Sequence, residues 1–198
     1  MFIAPEKRTF ENDAVRLVPI RREHLKDLYE NTAGDAAEIF YHMFAGPFPG
    51  MEEMGEWLQR EIESHERVTF AVYSKRLQTH VGVCSIINTD LVHGTSELGS
   101  VWYGKAAQRS EINTNAVFLL LQYLFDDLKY RRVVWKCDAA NEKSRNAALK
   151  LGFTYEGMFR QHLIIKNRNR DTAWYSIIDT EWEQVRMHLH RRIAEKRS

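Results

Sequence analysis

Glu97-Leu-Gly-Ser-Val-Trp-Tyr-Gly-Lys-Ala-Ala-Gln-Arg-Ser-Glu-Ile-Asn-Thr114 and Asn141-Glu-Lys-Ser-Arg-Asn-Ala-Ala-Leu-Lys-Leu-Gly-Phe153 decide how the chain reads. Each passes from a strand-like segment into the N-terminus of a helix. Such a junction aims backbone N–H groups and the positive end of a helix dipole at what lies beyond it, which suits an anion. A phosphate-bearing ligand held there, beside a strand that reaches its reactive end, is the organising expectation.

Outward from these stretches the pattern is regular. Thr95 to Gly104 alternates as a strand, with Glu97, Gly99, Val101 and Tyr103 expected on one face and Leu98, Ser100 and Trp102 on the other. Before it, Val68–Tyr73 and His80–Ile87 form a β-rich pair joined by a polar link, a hairpin that this strand extends into a meander. After it, Glu111 to Lys129 carries Ala116, Val117, Leu120, Leu121, Leu124 and Leu128 as one apolar stripe, the mark of a helix lying on a sheet. Arg132–Asp138 reads as the next strand. Asn141 then caps a helix over Glu142–Leu151 that Gly152 closes.

At the two ends the reading continues. Residues 1 to 12 are an irregular lead-in. Val15–Ile20 is a short strand that Pro19 places at an edge or at its own end. Helices follow over Arg22–Asn31 and Met51–Arg67, the second with Met54, Trp57, Leu58 and Ile62 on one face. Between them the aromatic-rich loop Ile39–Gly50 reads either as packing or as the wall of an acceptor cleft. Phe153–Lys166 and Asp171–Asp179 form two strands around a turn at Asn167–Arg170, and Glu181 onward is a terminal helix with a basic end. The single crossover helix between the fourth and fifth strands permits one parallel pairing in an otherwise antiparallel sheet. The expected fold is α/β (α+β): a mostly antiparallel mixed sheet with one parallel pair and helices on both faces. It comprises the lead-in at 1–12, one domain at 13–183 and a basic helical tail at 184–198.

Composition narrows the function. The 198 residues carry 28 Lys+Arg against 27 Asp+Glu, so the basic excess of a nucleic-acid binder is missing and such a role is disfavoured. Cys84 and Cys137 lie far apart in apolar strands and read as buried reduced thiols. No apolar run approaches the ~20 residues of a membrane span, and the N-terminus lacks the apolar core of a signal peptide, so a cytoplasmic protein with no membrane contact is expected. The eight histidines are scattered, and His188 and His190 do not share a helix face, so no metal is expected. The oligomeric state, homodimer included, is left open.

The order of elements, Gln108–Thr114 at a helix start, and Asn141-x-x-Ser144 followed by Leu151-Gly-Phe153 resemble the GNAT (GCN5-related) N-acetyltransferases. The most similar branch contains the ribosomal-protein N-terminal acetyltransferases. Glu156-Gly-x-x-Arg160-Gln-His162, Arg170-Asp-Thr172 and Tyr175-Ser-Ile177 add to the resemblance, which covers roughly residues 13 to 183. It implies acetyl-CoA as donor, an amine as acceptor (a protein N-terminus or a small molecule) and a fourth and fifth strand that splay to admit the pantetheine arm. By position, Val101, Trp102 and Tyr103 would offer backbone to that arm. Gln108, Arg109, Ser110, Ile112, Asn113 and Thr114 would hold the pyrophosphate. Asn141, Ser144 and Arg145 would meet the arm and its thiol end. The family loop has small residues where Glu111 and Asn113 stand, so Glu111 should face solvent, with Arg109 adding positive charge. Ala148 replaces a tyrosine acid common in the family, and Ser144 matches the serine that serves the ribosomal-protein branch instead. That branch has a glutamate base where this chain has Leu163, next to His162. Amine attack on a thioester needs a base, and an α-amino group near pKa ~7.7–8.0 needs far less help than a lysine near ~10.4. Glu97 is the first candidate for base or substrate anchor and His162 the second. A non-catalytic acyl-CoA-binding or interaction module on the same fold is the alternative.

Overall fold

The computed structural model describes residues 1–195. Lys196, Arg197 and Ser198, the end of the expected basic tail, lie outside the described residues. The strands are β1 (Phe10–Glu11), β2 (Val15–Pro19), β3 (Val68–Ser74), β4 (Thr79–Asp90), β5 (Thr95–Tyr103), β6 (Arg132–Asp138), β7 (Thr154–Ile165) and β8 (Arg168–Ile178). The α-helices are α1 (Leu25–Glu30), α2 (Ala36–Ile39), α3 (Met51–Glu63), α4 (Ile112–Gln122), α5 (Glu142–Lys150) and α6 (Asp179–Glu195). The strands form one sheet in the order β1-β2-β3-β4-β5-β6-β8-β7, with β5 and β6 parallel and the other neighbours antiparallel. The mixed sheet with one parallel pair is thus as expected.

Each face of the sheet buries its own core. On one side α4, α5 and α6 cover β-strand residues such as Phe70, Leu98, Val133, Trp135 and Ile177. Ala116, Val117, Leu120, Leu121 and Leu124 of the expected stripe are fully buried there. On the other side α1, α3 and the loop after α2 cover Ala71, Val83 and Trp102 with Leu28, Met54, Leu58 and Phe40. Burial of a Leu- or Phe-sized side chain contributes about 1.5–3 kcal/mol, so these two layers rather than the surface ion pairs hold the fold together.

Several expectations are corrected. The lead-in is not wholly irregular: Phe10–Glu11 pairs outside β2, so Pro19 marks that strand's end and not the sheet's edge. The helix expected over Glu111–Lys129 is α-helical only to Gln122, and Tyr123–Asp127 widens into a π-turn. The turn expected at Asn167–Arg170 is tighter: Lys166 and Asn167 alone form it, both at positive φ, as a two-residue hairpin turn requires. The even alternation along β5 also fails. Ser100 has φ 51 at a break in the β4–β5 register, so side chains before and after it swap faces. Leu98 therefore faces the α4 core and Trp102 the opposite one, although strict alternation puts them together.

Among the described residues, no helix is long and apolar enough to cross a membrane. Terminal helix α6 packs on the core through Trp182, Val185, Leu189 and Ile193, which includes much of the stretch expected as a basic tail. Gly152, at φ +90, closes α5 as expected of a C′ glycine.

Candidate active site

The parallel β5–β6 ladder runs only from Thr95↔Arg132 to Glu97↔Val134. Both strands continue, β5 to Tyr103 and β6 to Asp138, without pairing to each other. Unpaired strand backbone needs partners, and here it borders a cleft of about 1260 Å³. Glu97, Val101, Trp102, Tyr103, Gln108, Arg109, Ser110, Asn113, Thr114, Asn141, Ser144 and His162 all line this one cleft. Two expected residues do not. Ile112 is fully buried in the α4 core, leaving only its backbone at the helix start. Arg145 turns away, its guanidinium donating to Tyr175 Oη and the Ala139 carbonyl at 3.3 Å each.

One end of the cleft is the start of α4. The 3₁₀ turn Lys105–Ala107 leads into Gln108, whose amide donates to the Tyr103 carbonyl at 2.9 Å, and Arg109 follows at φ 57. Ser110 Oγ accepts from the Ile112 N–H at 3.2 Å and donates to the Ala107 carbonyl at 2.7 Å, which fixes the loop. Glu111 is the N-cap and is absent from the cleft lining, as the charge argument requires. Asn113 adds a buried Oδ1 with no partner among the described residues. Arg192 of α6 also lines the cleft; no motif marked it, because its place depends on how α6 docks.

The middle of the cleft is organised by β6 and α5. Asn141 caps α5 by accepting from the Ser144 N–H at 3.0 Å. Ser144 Oγ accepts from Trp135 Nε1 at 3.0 Å. Because the indole can only donate, that contact occupies a serine lone pair and leaves the hydroxyl as a donor, with the Cys137 sulfur within its hydrogen-bonding reach. Burial pushes the neighbouring Cys137 thiol up, so it stays protonated. Tyr103 is likewise pushed well above the usual phenol range by burial, and its side chain belongs to the core.

The opposite sheet face holds a polar cluster that the sequence revealed only in part. Glu97 is 6% exposed, so its carboxylate is buried in the wall of the cleft. Its Oε2 accepts from Lys136 Nζ at 2.6 Å and from Asn88 Nδ2 at 2.7 Å. Asn88 reaches it because the β4 register slips between Ile87 and Asp90. Lys136 also sits over the Trp174 ring, 4.5 Å from its centroid. At the end of β6, Asp138 Oδ2 lies 2.7 Å from His42 Nδ1, and both residues line the cleft. His162 Nδ1 pairs with Thr172 Oγ1 at 2.9 Å on the exposed hairpin. His42, Asp138 and Lys136 were not singled out in the sequence, and Arg170 entered only through the Arg170-Asp-Thr172 resemblance, with no role. The one available hint was the aromatic loop already read as a cleft wall. Among the described residues no cluster of His, Cys, Asp and Glu is arranged to hold a metal.

Comparison with known proteins agrees with this geometry. The acetyltransferase (GNAT) domain family model matches residues 14–154. The structure superimposes on a GCN5-related N-acetyltransferase from Brucella melitensis with a TM-score of 0.93 at 37% identity, covering 96% of this chain and 86% of that one. Over 102 residues, 52% of the chain, it is 34% identical to the putative ribosomal N-acetyltransferase YdaF of Bacillus subtilis (strain 168); this match spans 55% of that relative, about half its length. It is 24% identical to the ribosomal-protein-serine acetyltransferase of Escherichia coli (strain K12) over 86% of this chain and 96% of that one.

Proposed function

The chain belongs to the acetyltransferase (GNAT) domain family, and on that premise we propose that it transfers an acetyl group from acetyl-CoA directly to a primary amine. The α-amino group of a protein N-terminus is the favoured acceptor, with a small-molecule amine as the other member of the class. The observation that carries this reading is the early end of the β5–β6 ladder at Glu97↔Val134. It leaves strand backbone facing a cleft with a helix N-terminus at one end and an acid–base cluster on the opposite sheet face.

The donor half fits the residues present. Backbone at Val101 to Tyr103, the start of α4 and the Asn141-capped start of α5 are N–H and C=O surfaces of the kind a pantetheine–pyrophosphate arm pairs with. Acetyl-CoA supplies a thioester whose carbonyl carbon accepts a nitrogen lone pair. The residues of this chain orient that attack and move the protons. The amine nitrogen forms the new N–C bond, the C–S bond breaks, and the amine loses one proton to a base. His42 is the base we favour. Asp138 holds its Nδ1, which directs the Nε2 lone pair outward, as in other carboxylate-oriented histidines. Glu97, occupied by Lys136 and Asn88, is better read as the anchor of the cleft floor than as a proton acceptor. Ser144, its lone pair taken by Trp135, keeps its proton and donates a hydrogen bond that stabilises the departing thiolate, while the proton lost by the amine goes to His42.

Release of coenzyme A tests this, with acetyl-CoA and a panel of peptides bearing free N-termini, free lysine and small amines. Acetylated α-amino product, identified by mass spectrometry, is the expected result. Tight donor binding without turnover on any amine would overturn it in favour of a non-catalytic acyl-CoA-binding module.

A further inference from the structure

Arg170 is 7% exposed and lines the cleft, yet among the described residues its guanidinium has no hydrogen bond and no ion pair; its Nε is buried and unpartnered. Its one contact of note is the ring of Phe44, 4.9 Å away. Removing a cation from water is costly unless an anion or acceptor compensates. The neighbouring carboxylates are engaged elsewhere, Asp138 by His42 and Glu97 by Lys136. Burial accordingly weakens the hold of Arg170 on its proton, which Asp138 and Glu97 only partly offset through space. The guanidinium fork is rigid and matches carboxylate or phosphate oxygens two at a time.

Position says which ligand it serves. Arg170 is near the start of β8, just past the Lys166–Asn167 turn, and Phe44 comes from the loop after α2. These two segments wall the acceptor side of the cleft, remote in sequence from the α4 start assigned to the donor's phosphates. The side chains of Lys136, Asp138 and Thr172 lie on the same stretch of wall.

We propose that Arg170 is an anion subsite of the acceptor arm, so that the preferred acceptor carries a carboxylate or phosphate group on the same molecule as its reacting amine. This rests on the amine-transfer reading above and narrows its substrate class. An acceptor with that anion completes the charge balance of the wall; a neutral amine or a polyamine leaves the guanidinium buried and unmatched.

The test compares acceptors that differ only in the anion. One arm sets a free amino acid against its carboxamide, a second sets an aminoalkyl phosphate against the corresponding amino alcohol, and a third sets a peptide with glutamate after its N-terminal residue against the glutamine version. The wild-type enzyme should favour the anionic member of at least one pair by tenfold or more in kcat/KM. The arm that shows this identifies carboxylate, phosphate or acidic peptide as the source. Arg170→Gln should bring the ratio close to one, and Arg170→Lys should keep part of it. Equal use of both members in every arm, or a preference that survives Arg170→Gln, would overturn the proposal. Should no amine be acetylated, the transfer reading fails, and calorimetric binding of the same pairs without donor decides the anion subsite: tighter binding of the anionic member supports it, equal binding overturns it. If Arg170→Gln does not fold, the wild-type ratios and Arg170→Lys carry the same decision.

Discussion

His42 Nδ1 and Asp138 Oδ2 stand 2.7 Å apart, joining the aromatic loop after α2 to the end of β6 at the lip of the cleft. A carboxylate so placed fixes both the tautomer and the direction of the imidazole. His42→Ala should therefore lower kcat by about 10²–10⁴-fold, the usual worth of a positioned base. Asp138→Asn, which disturbs the tautomer while keeping the shape, should lower it less. Turnover of His42→Ala equal to wild type would exclude the histidine as base and return Glu97 or His162 to that role.

Ser144 Oγ accepts a hydrogen bond from the Trp135 indole N–H at 3.0 Å, and the serine is held by the Asn141 cap through its own backbone N–H. Ser144→Ala removes the hydroxyl but leaves the cap intact, because Asn141 binds main chain. Turnover should fall while donor affinity, read by calorimetry, stays within about twofold, since only stabilisation of the leaving sulfur is lost. Trp135→Phe should lower turnover less than Ser144→Ala, because it frees the hydroxyl to rotate without removing it. Unaltered turnover in Ser144→Ala would remove the serine from the mechanism.

Local signals made the fold legible. The stripe from Ala116 to Leu124, the Asn141 cap and Gly152 each depend on neighbours within a turn or two, and each appears where expected. Features that depend on register or docking were illegible. The face swap at Ser100 needs a bulge that no residue of β5 announces, and the outer place of β7, beyond β8, is decided by tertiary pairing. The site divides in the same way. The half we propose for the donor comprises two contiguous junctions, and local sequence brings most of their residues to one cleft. The half we propose for the acceptor assembles His42, Glu97, Lys136, Asp138 and Arg170 from four separate segments, so no spacing in the chain connects them.

Glu97 and Lys136 form an ion pair at 2.6 Å just beyond the last paired rung of β5 and β6, Glu97↔Val134, with the carboxylate buried and the ammonium about one-fifth exposed. Lys136→Met would strand the carboxylate with only Asn88 for a partner. It should cost up to about 3 kcal/mol, somewhat below the value for a fully buried pair because solvent reaches the lysine end. Glu97→Gln should cost less, since the amide retains a hydrogen-bonding oxygen. Combining the two should recover part of the loss, a non-additivity that urea denaturation of the four proteins would measure. Strict additivity would mean that the pair does not couple.

Lys166 ties the aromatic loop from the opposite side, its ammonium donating to the Phe40 carbonyl at 2.7 Å and reaching the Ala45 carbonyl at 3.4 Å. Arg168 donates to the Tyr41 carbonyl at 2.8 Å and covers its ring at 3.9 Å. The β7–β8 hairpin thereby holds the segment carrying His42 and Phe44. Lys166→Met should raise the acceptor KM several-fold and lower kcat without weakening the donor, because α4 and α5 are untouched. Amide exchange over residues 40–45 should quicken in the same variant. Unchanged exchange and unchanged acceptor KM would show that the loop is held by its own packing.

His24 is 3% exposed, and its Nδ1 accepts from the Arg21 N–H at 3.1 Å, an arrangement that uses the neutral ring. Burial, reinforced by the tilted His80 ring with its centroid 4.3 Å away, lowers its pKa to about 4; Glu23 and Asp27 oppose this and Arg21 adds to it. In the unfolded chain the ring titrates near ~6.5. Between those values the unfolded state binds the extra proton, so the stability that the neutral ring contributes is complete above about pH 6.5 and is lost as pH falls toward 4. The loss should be on the order of 2–3 kcal/mol across that window. His24→Asn, which can still accept from the Arg21 N–H, should flatten the dependence of denaturant midpoint on pH over the same range. A wild-type midpoint that does not move between pH 6.5 and 4 would refute the assignment.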